Sequence, residues 1–272
     1  MNPMLHPWHA IILGIIEGAT EFLPVSSTGH LILANYLLGL DGEGVKTFDI
    51  VIQAGALAAV AGLYRQRLRA MGAGLIGRDP SGRRLLRNLV LAFLPAGLVG
   101  FGFHRAIKAS LFGIWPVTAA LAIGGLAMVA ADRWLRRRAA TSRTLESITP
   151  SEALLIGTVQ CLALWPGTSR AMVTLVAGMA LGLPAAVAAE FSFLLALPTL
   201  GIAAVFEAAT GAVALGQLCS AVSVVCGFVA AMLVAAAAIQ GLVRFLSRGG
   251  LAPFGWYRVG LAALVWSVLR SA

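Results

Sequence analysis

The chain has 272 residues, of which 59% are hydrophobic and 11% charged, and its mean hydropathy is +0.89. Soluble domains carry about 25% charged residues, so a soluble globular protein is excluded, and the long Ala/Leu/Val/Gly runs lack the alternation of a membrane β-barrel. The net charge of +9 comes from arginine in short loops, where it sets membrane orientation; no nucleic-acid partner is implied.

In chain order, apolar runs cover 8–23, 31–40, 48–64, 86–104, 112–134, 151–165, 170–182, 185–207, 213–243 and 252–270. A full crossing needs about 20 residues at a rise of about 1.5 Å. The runs 31–40 and 170–182 are too short, and each follows a proline-plus-hydroxyl break, PVSSTG and PGTS. The expected fold is an all-α integral membrane protein with six full transmembrane helices and two re-entrant helix-loop-helix pairs, in a single polytopic domain over 1–272. Irregular backbone at membrane depth is tolerated only where protein or a wet cavity surrounds it, so the two breaks are the expected site. No cleavable signal peptide is expected. The N-terminus lacks a basic leader and its apolar run carries Glu17 and Glu21.

Arginine marks three loops: Arg65, Arg67, Arg69, Arg78, Arg83, Arg84 and Arg87; then Arg133, Arg136, Arg137, Arg138 and Arg143; then Arg244 and Arg248. With all three cytoplasmic, the six crossings alternate and both termini lie outside, with Arg105 and Lys108 as outer exceptions. The first re-entrant pair then enters from outside and the second from inside. Pro24 and Pro166 lie 142 residues apart, Phe48 and Phe191 lie 143 apart, and PVSST aligns with PGTSR. These spacings predict an inverted-topology repeat, one copy over about 1–135 and the other over about 150–272, whose broken helices meet near the midplane.

The first break carries the chemistry. Glu17 and Glu21 are four apart and share a helical face. Pro24 stops the helix, Ser26, Ser27 and Thr28 form an N-cap cluster, and His30 opens the next run. A carboxylate inside a membrane segment costs about 3 kcal/mol, which makes both glutamates functional candidates. The second break offers Thr168, Ser169 and Arg170. Two helix N-termini and an arginine facing one space suit a phosphate or diphosphate, with Arg170 as a planar multi-donor clamp. Ser27 is a candidate nucleophile, with His30 or a glutamate as its base; direct attack by His30 or by a metal-bound water stays open. Glu17 and Glu21 repel each other, so a proton or a cation sits between them, and a hard divalent ion, Mg²⁺ or Ca²⁺, suits carboxylate and phosphate oxygens. His6 and His9, at the N-terminal boundary without a third ligand, are interfacial residues, and His104 is a helix-end residue. Trp8, Trp115, Trp134 and Trp256 are interface anchors, and Trp165 is placed to wall the cavity. Gln53 and Glu190 are polar groups of the following crossings. Cys161, Cys219 and Cys226 have no paired spacing and are packing residues.

At these residues the chain resembles the bacterial undecaprenyl-diphosphate phosphatase family, also known for bacitracin resistance. EGATEFLPVSSTGHLIL (17–33) matches its first motif, PGTSR (166–170) its second, and AAEFSFLLALPTLG (188–201) is also similar. The resemblance implies hydrolysis of undecaprenyl diphosphate to undecaprenyl phosphate and inorganic phosphate, recycling the lipid carrier of cell-wall synthesis. It implies a site on the outer, periplasmic side of the cytoplasmic membrane and dependence on a divalent ion. It also implies roles for Glu17 and Glu21 as the acidic pair, Ser27 as nucleophile, His30 as acid/base and Arg170 as phosphate ligand. Ser26, Thr28, Thr168 and Ser169 are the accompanying substrate-binding candidates, and Glu17 and Glu21 the metal candidates. The partners expected are the polyprenyl diphosphate lipid and membrane lipid, and a homodimer is allowed. The family motif continues Ser-Gly after the arginine, whereas this chain has Ala171 and Met172. No histidine follows Ser169–Arg170 as in the unrelated acid-phosphatase-like lipid phosphatases. The alternative from another class is a flippase for the same carrier lipid, since inverted repeats and broken helices are a transporter's hallmark.

Overall fold

The computed structural model describes residues 5–103, 107, 110–111, 113–137 and 142–271. His104, Arg105, Lys108 and Arg138 lie outside the described residues. Among the described residues each apolar run is mostly helical, with the run 213–243 divided between two helices. In order these are α1 (Pro7–Thr20), α2 (Ser27–Leu37), α3 (Glu43–Leu63), α4 (Arg65–Leu75), α5 (Pro80–Gly102), α6 (Ile114–Leu135), α7 (Pro150–Gln160), α8 (Arg170–Ala180), α9 (Ala185–Leu218), α10 (Ala221–Leu246) and α11 (Ala252–Ser271). Helices α3, α5, α6, α9 and α10 are long and apolar enough to cross a membrane. The chain is thus an integral membrane protein. Helix α11, the sixth expected crossing, has 20 residues but carries Arg258 in its first half and is not among those five.

Two boundaries differ from the sequence reading. The arginine-rich stretch 65–87, expected as a loop, contains α4. Arg65 and Arg69 are exposed and Arg67 is half-buried, while Met71 and Gly74 are buried where α4 packs on α5. Asp79 then caps α5, accepting from the Ser81 and Gly82 amides at 2.9 Å. The Gly82 amide and the Ser81 hydroxyl hold its carboxyl below the usual carboxylate range. The break expected near 208–212 lies instead at Cys219–Ser220. Thr210 stays helical by returning its hydroxyl to the Phe206 carbonyl at 3.0 Å, and Gly211 packs against the Thr47 side chain of α3. Ser220 caps α10 by accepting from the Ser223 amide.

Helix α1 packs along α10, and α7 along α5; α3 packs on α9 and on α10, α9 also on α5, and α6 on α11. The α1–α10 approach is close because position 14 is glycine: a Cβ there would strike the Gly227 carbonyl. The α6–α11 pair crosses at Gly125 and Gly255, where a Cβ on either residue would lie 2.7 Å from the other's carbonyl oxygen. Van der Waals contact at such crossings is what holds helices together in lipid.

Polar contacts gather at the ends. Arg67 joins Glu146 at 2.7 Å and Glu190 at 2.8 Å, and Arg143 joins Glu152 at 2.8 Å. Asp132 accepts from Arg136 and from the Leu251 amide, both at 2.7 Å. These contacts tie the three arginine-rich connections into one end of the bundle. Elsewhere, Leu5 pairs with the α9–α10 turn: its amide donates to the Leu218 carbonyl and its carbonyl accepts from Ser223 Oγ, both at 3.0 Å.

Candidate active site

Each break is built the same way. Helix α1 ends at Thr20, four residues before Pro24, and the chain turns through 21–25. Ser26 follows at φ 73°, and its hydroxyl accepts from the Gly29 amide at 3.4 Å to start α2. In the second break α7 runs into a 3₁₀ turn, Cys161–Leu164. Ser169 stands at φ 72° and its hydroxyl accepts from the Met172 amide at 3.2 Å to start α8. These two serines are the only non-glycine residues at positive φ among the described residues. Such backbone costs about 1–3 kcal/mol and persists only where the surroundings enforce it. The first-turn amides of Ser27 and Thr28, and of Arg170 and Ala171, have no acceptor within their own helices.

Glu21 joins the two breaks. Its Oε2 accepts from Ser27 Oγ at 2.5 Å, and its Oε1 accepts from Arg170 Nη2 at 3.0 Å. Arg170 is steered from the other side: Nη1 donates to the Ser192 carbonyl at 2.8 Å, and the guanidinium lies 5.7 Å from the Phe22 ring centroid. Thr174 fixes Ser192 through a 2.6 Å hydroxyl contact. The Arg170 Nε is buried without an acceptor, leaving one donor of the fork open. Glu17 lies one turn before Glu21, is 0% exposed, and neither of its oxygens has a hydrogen-bond partner.

His30 stands apart from this chain of contacts. Its Nδ1 lies 2.8 Å from the Ser26 carbonyl and its Nε2 2.7 Å from Tyr257 Oη; a carbonyl can only accept, so Nδ1 carries a proton and neutral Nε2 accepts from Tyr257. Ser27 and His30 are three apart on α2 and share a face. Thr28 is half-buried in the first turn of α2. Thr168 contributes its carbonyl to Arg258. Trp165 anchors the second break, Nε1 donating to the Pro116 carbonyl of α6 at 3.1 Å. Glu190 lies at the basic end, paired with Arg67.

The sequence reading missed Tyr257, Ser192 and Arg258. Nothing local marks the first two, which arrive from distant helices. Arg258 had a visible signal: it is a lone arginine inside an apolar run, a functional candidate on the same grounds as the glutamates. Where the sequence has Met172 after Ala171, the Met172 Sδ receives Arg258 Nη1 at 3.2 Å.

A model of the family described as bacitracin resistance protein BacA matches residues 10–264. The chain belongs to the BacA family. The match takes in both breaks, Glu17 through His30, Arg170, Tyr257 and Arg258. Among curated relatives of this BacA-family chain, the undecaprenyl-diphosphatase of Sorangium cellulosum is 51% identical over 258 residues, covering 94% of this chain and 84% of the relative. Undecaprenyl-diphosphatase 2 of Rhodospirillum rubrum is 45% identical over 267 residues, 96% of each chain. The undecaprenyl-diphosphatase of Methylococcus capsulatus is 42% identical over 266 residues, covering 97% of this chain and 96% of the relative.

Proposed function

We infer that the protein hydrolyses undecaprenyl diphosphate to undecaprenyl phosphate and inorganic phosphate, and so returns the carrier lipid to cell-wall synthesis. Family membership and the relatives' names supply the reaction. The observation that carries it to particular residues is Glu21, which holds Ser27 of one break and Arg170 of the other at once. Phosphate-ester and anhydride hydrolysis without a catalyst is very slow. A pre-set cation beside an activated hydroxyl addresses both the developing charge and the attack.

In the proposed reaction the terminal phosphate takes the open Arg170 Nε and the first-turn amides of α2 and α8. Ser27 Oγ attacks the terminal phosphorus as Glu21 takes its proton. The bond from that phosphorus to the bridging oxygen breaks, and undecaprenyl phosphate leaves with the oxygen. Water then hydrolyses the phosphoserine, with His30 on the same helical face as its base. Inorganic phosphate departs, Ser27 regains its proton from Glu21, and His30 passes the proton taken from water to the departing phosphate or to solvent.

A divalent ion fits this site only together with the substrate. No group of three or more His, Cys, Asp or Glu side chains that could hold a metal occurs among the described residues. Glu17 nevertheless has two buried oxygens without a donor, next to Glu21. Glu17 and Glu21 would hold Mg²⁺ or Ca²⁺, with diphosphate oxygens completing its shell. The ion would neutralise phosphate charge.

The orientation proposed is cytoplasmic-membrane, multi-pass, with both termini and the Ser27 break toward the periplasm. Support comes from the three arginine-rich connections meeting at one end. The inverted repeat draws support from packing that survives exchange of halves: α1 on α10 corresponds to α7 on α5, and α3 on α10 to α9 on α5.

The test is phosphate release from undecaprenyl diphosphate by purified protein in detergent, with and without EDTA, beside Glu21→Ala and Arg170→Ala. Release should fall at least about 100-fold in each variant and with EDTA. A folded wild type that releases no phosphate, yet moves the lipid across vesicles, would replace the hydrolase with the flippase.

A further inference from the structure

Arg258 is 0% exposed and forms no ion pair among those of the described residues. Its guanidinium is spent almost wholly on backbone. Nη1 donates to the Thr168 carbonyl at 2.8 Å and reaches the Pro24 carbonyl at 3.4 Å. Nη2 donates to the Gly167 carbonyl at 2.8 Å and the Ala120 carbonyl at 3.1 Å, and Nε faces the Leu121 carbonyl at 3.4 Å. Pro24 and Gly167 each stand two residues before a serine at positive φ, Ser26 and Ser169. One planar fork therefore grips both breaks at corresponding places and ties them to α6. A buried cation is costly unless its donors are satisfied, and carbonyls that would otherwise face a membrane interior need donors of their own. This arrangement meets both demands at once.

Helix α6 is cut to admit the fork. A Cβ at position 124 would collide with the Arg258 Nη2 and lie 3.0 Å from Cζ, so Gly124 is the seat of the guanidinium. The neighbouring Gly125–Gly255 crossing brings α11 close enough for the arginine to reach.

We propose that Arg258 is a positioning residue for the phosphatase reaction: seated on Gly124, it fixes the two breaks in the register that sets Ser27, Glu21 and Arg170 together, without touching substrate. This rests on the hydrolase reading above and deepens it. A conservative lysine keeps the charge but has one donor atom where arginine has three along a fixed fork, so it cannot hold Pro24, Gly167 and Thr168 together. Gly124→Ala keeps the arginine and displaces only the flexible end of its side chain, which spares the fold.

The experiment compares wild type, Arg258→Lys and Gly124→Ala in detergent by two readouts. The first is kcat and KM for phosphate release from undecaprenyl diphosphate. In both variants kcat should fall 10- to 100-fold while KM stays within about threefold, because Arg170 and the helix N-termini still bind phosphate. The second is amide hydrogen exchange of 21–30 and 165–172, which should quicken at least tenfold in both variants whether or not the preparation is catalytically active. Unchanged exchange in both segments, or kcat within threefold of wild type in folded Gly124→Ala, overturns the proposal. A KM rise with kcat preserved overturns it too, making Arg258 a phosphate contact. Quickened exchange in both variants beside a wild type that releases no phosphate leaves the tie standing and defeats the hydrolase reading instead.

Discussion

Glu21 has two oxygens and gives one to each break. With Oε2 on Ser27 and Oε1 on Arg170, it is both the nearest base to the hydroxyl and the counter-ion that keeps Arg170 from being an uncompensated charge. Glu21→Gln separates these parts. The amide oxygen can still accept one hydrogen bond, but it cannot take a proton from Ser27. The fall in kcat should be about 100- to 1,000-fold, the size of a lost general base together with lost charge complementarity. Inorganic phosphate should still protect the variant against heat, because Arg170 is then free to pair with it. Ser192→Ala makes the contrast. It removes an Oγ that lies 3.4 Å from Arg170 but leaves the carbonyl that accepts at 2.8 Å, so kcat should stay within about threefold. Equal losses in the two variants, measured by phosphate release, would mean that Arg170's orientation rather than Glu21's charge limits the reaction.

The helices α2 and α8 each begin at a serine that is both a cap and a strained residue, and these roles predict an unusual order of stability. At Ser26, alanine loses the hydroxyl that accepts from Gly29 and keeps a Cβ at positive φ; the lost cap alone costs about 1 kcal/mol. Glycine loses the same hydroxyl but adopts positive φ without strain. Ser26→Gly should therefore melt above Ser26→Ala by about 2–4 °C, the reverse of ordinary helix propensity, and Ser169 should show the same order. Melting curves in one detergent decide it, and alanine melting at or above glycine would remove the strain from the account. The caps were legible in the sequence because SST and TS precede apolar runs. The positive φ was not, because serine carries no sign of it and the conformation is imposed by contacts from α6 and α11. Helix α4 was hidden for a related reason: RQRLRAM shows mostly charge, and its few buried positions find a partner only once α5 lies beside it. The end of α9 was misplaced because Thr210–Gly211 looks like a breaker until Thr47 of α3 packs against Gly211.

At the scale of the molecule, the ten apolar runs and the two breaks were visible because a bilayer allows few alternatives to helices of fixed length. The proposed exchange of halves rests in the sequence on the spacings of Pro24 and Pro166 and of Phe48 and Phe191. What could not be seen was which helices close the site, since α11 brings Arg258 and Tyr257 from more than 220 residues along the chain and α6 supplies the Ala120 carbonyl that Arg258 meets. Orientation is the remaining consequence of the architecture. With Cys161, Cys219 and Cys226 replaced by serine, single cysteines can be placed at exposed ends of the bundle. Arg78→Cys and Arg248→Cys lie in the arginine-rich connections, and His6→Cys and Gln217→Cys lie where Leu5 meets the α9–α10 turn. A membrane-impermeant maleimide applied to spheroplasts should label His6→Cys and Gln217→Cys at once, and Arg78→Cys and Arg248→Cys only after lysis. That pattern puts the Ser27 break on a helix pair entering from outside. The reverse pattern would turn the bundle over and make the same site cytoplasmic. Mixed labelling within either pair would break the two-ended arrangement, because residues joined by the contacts at one end cannot lie on opposite sides of the bilayer.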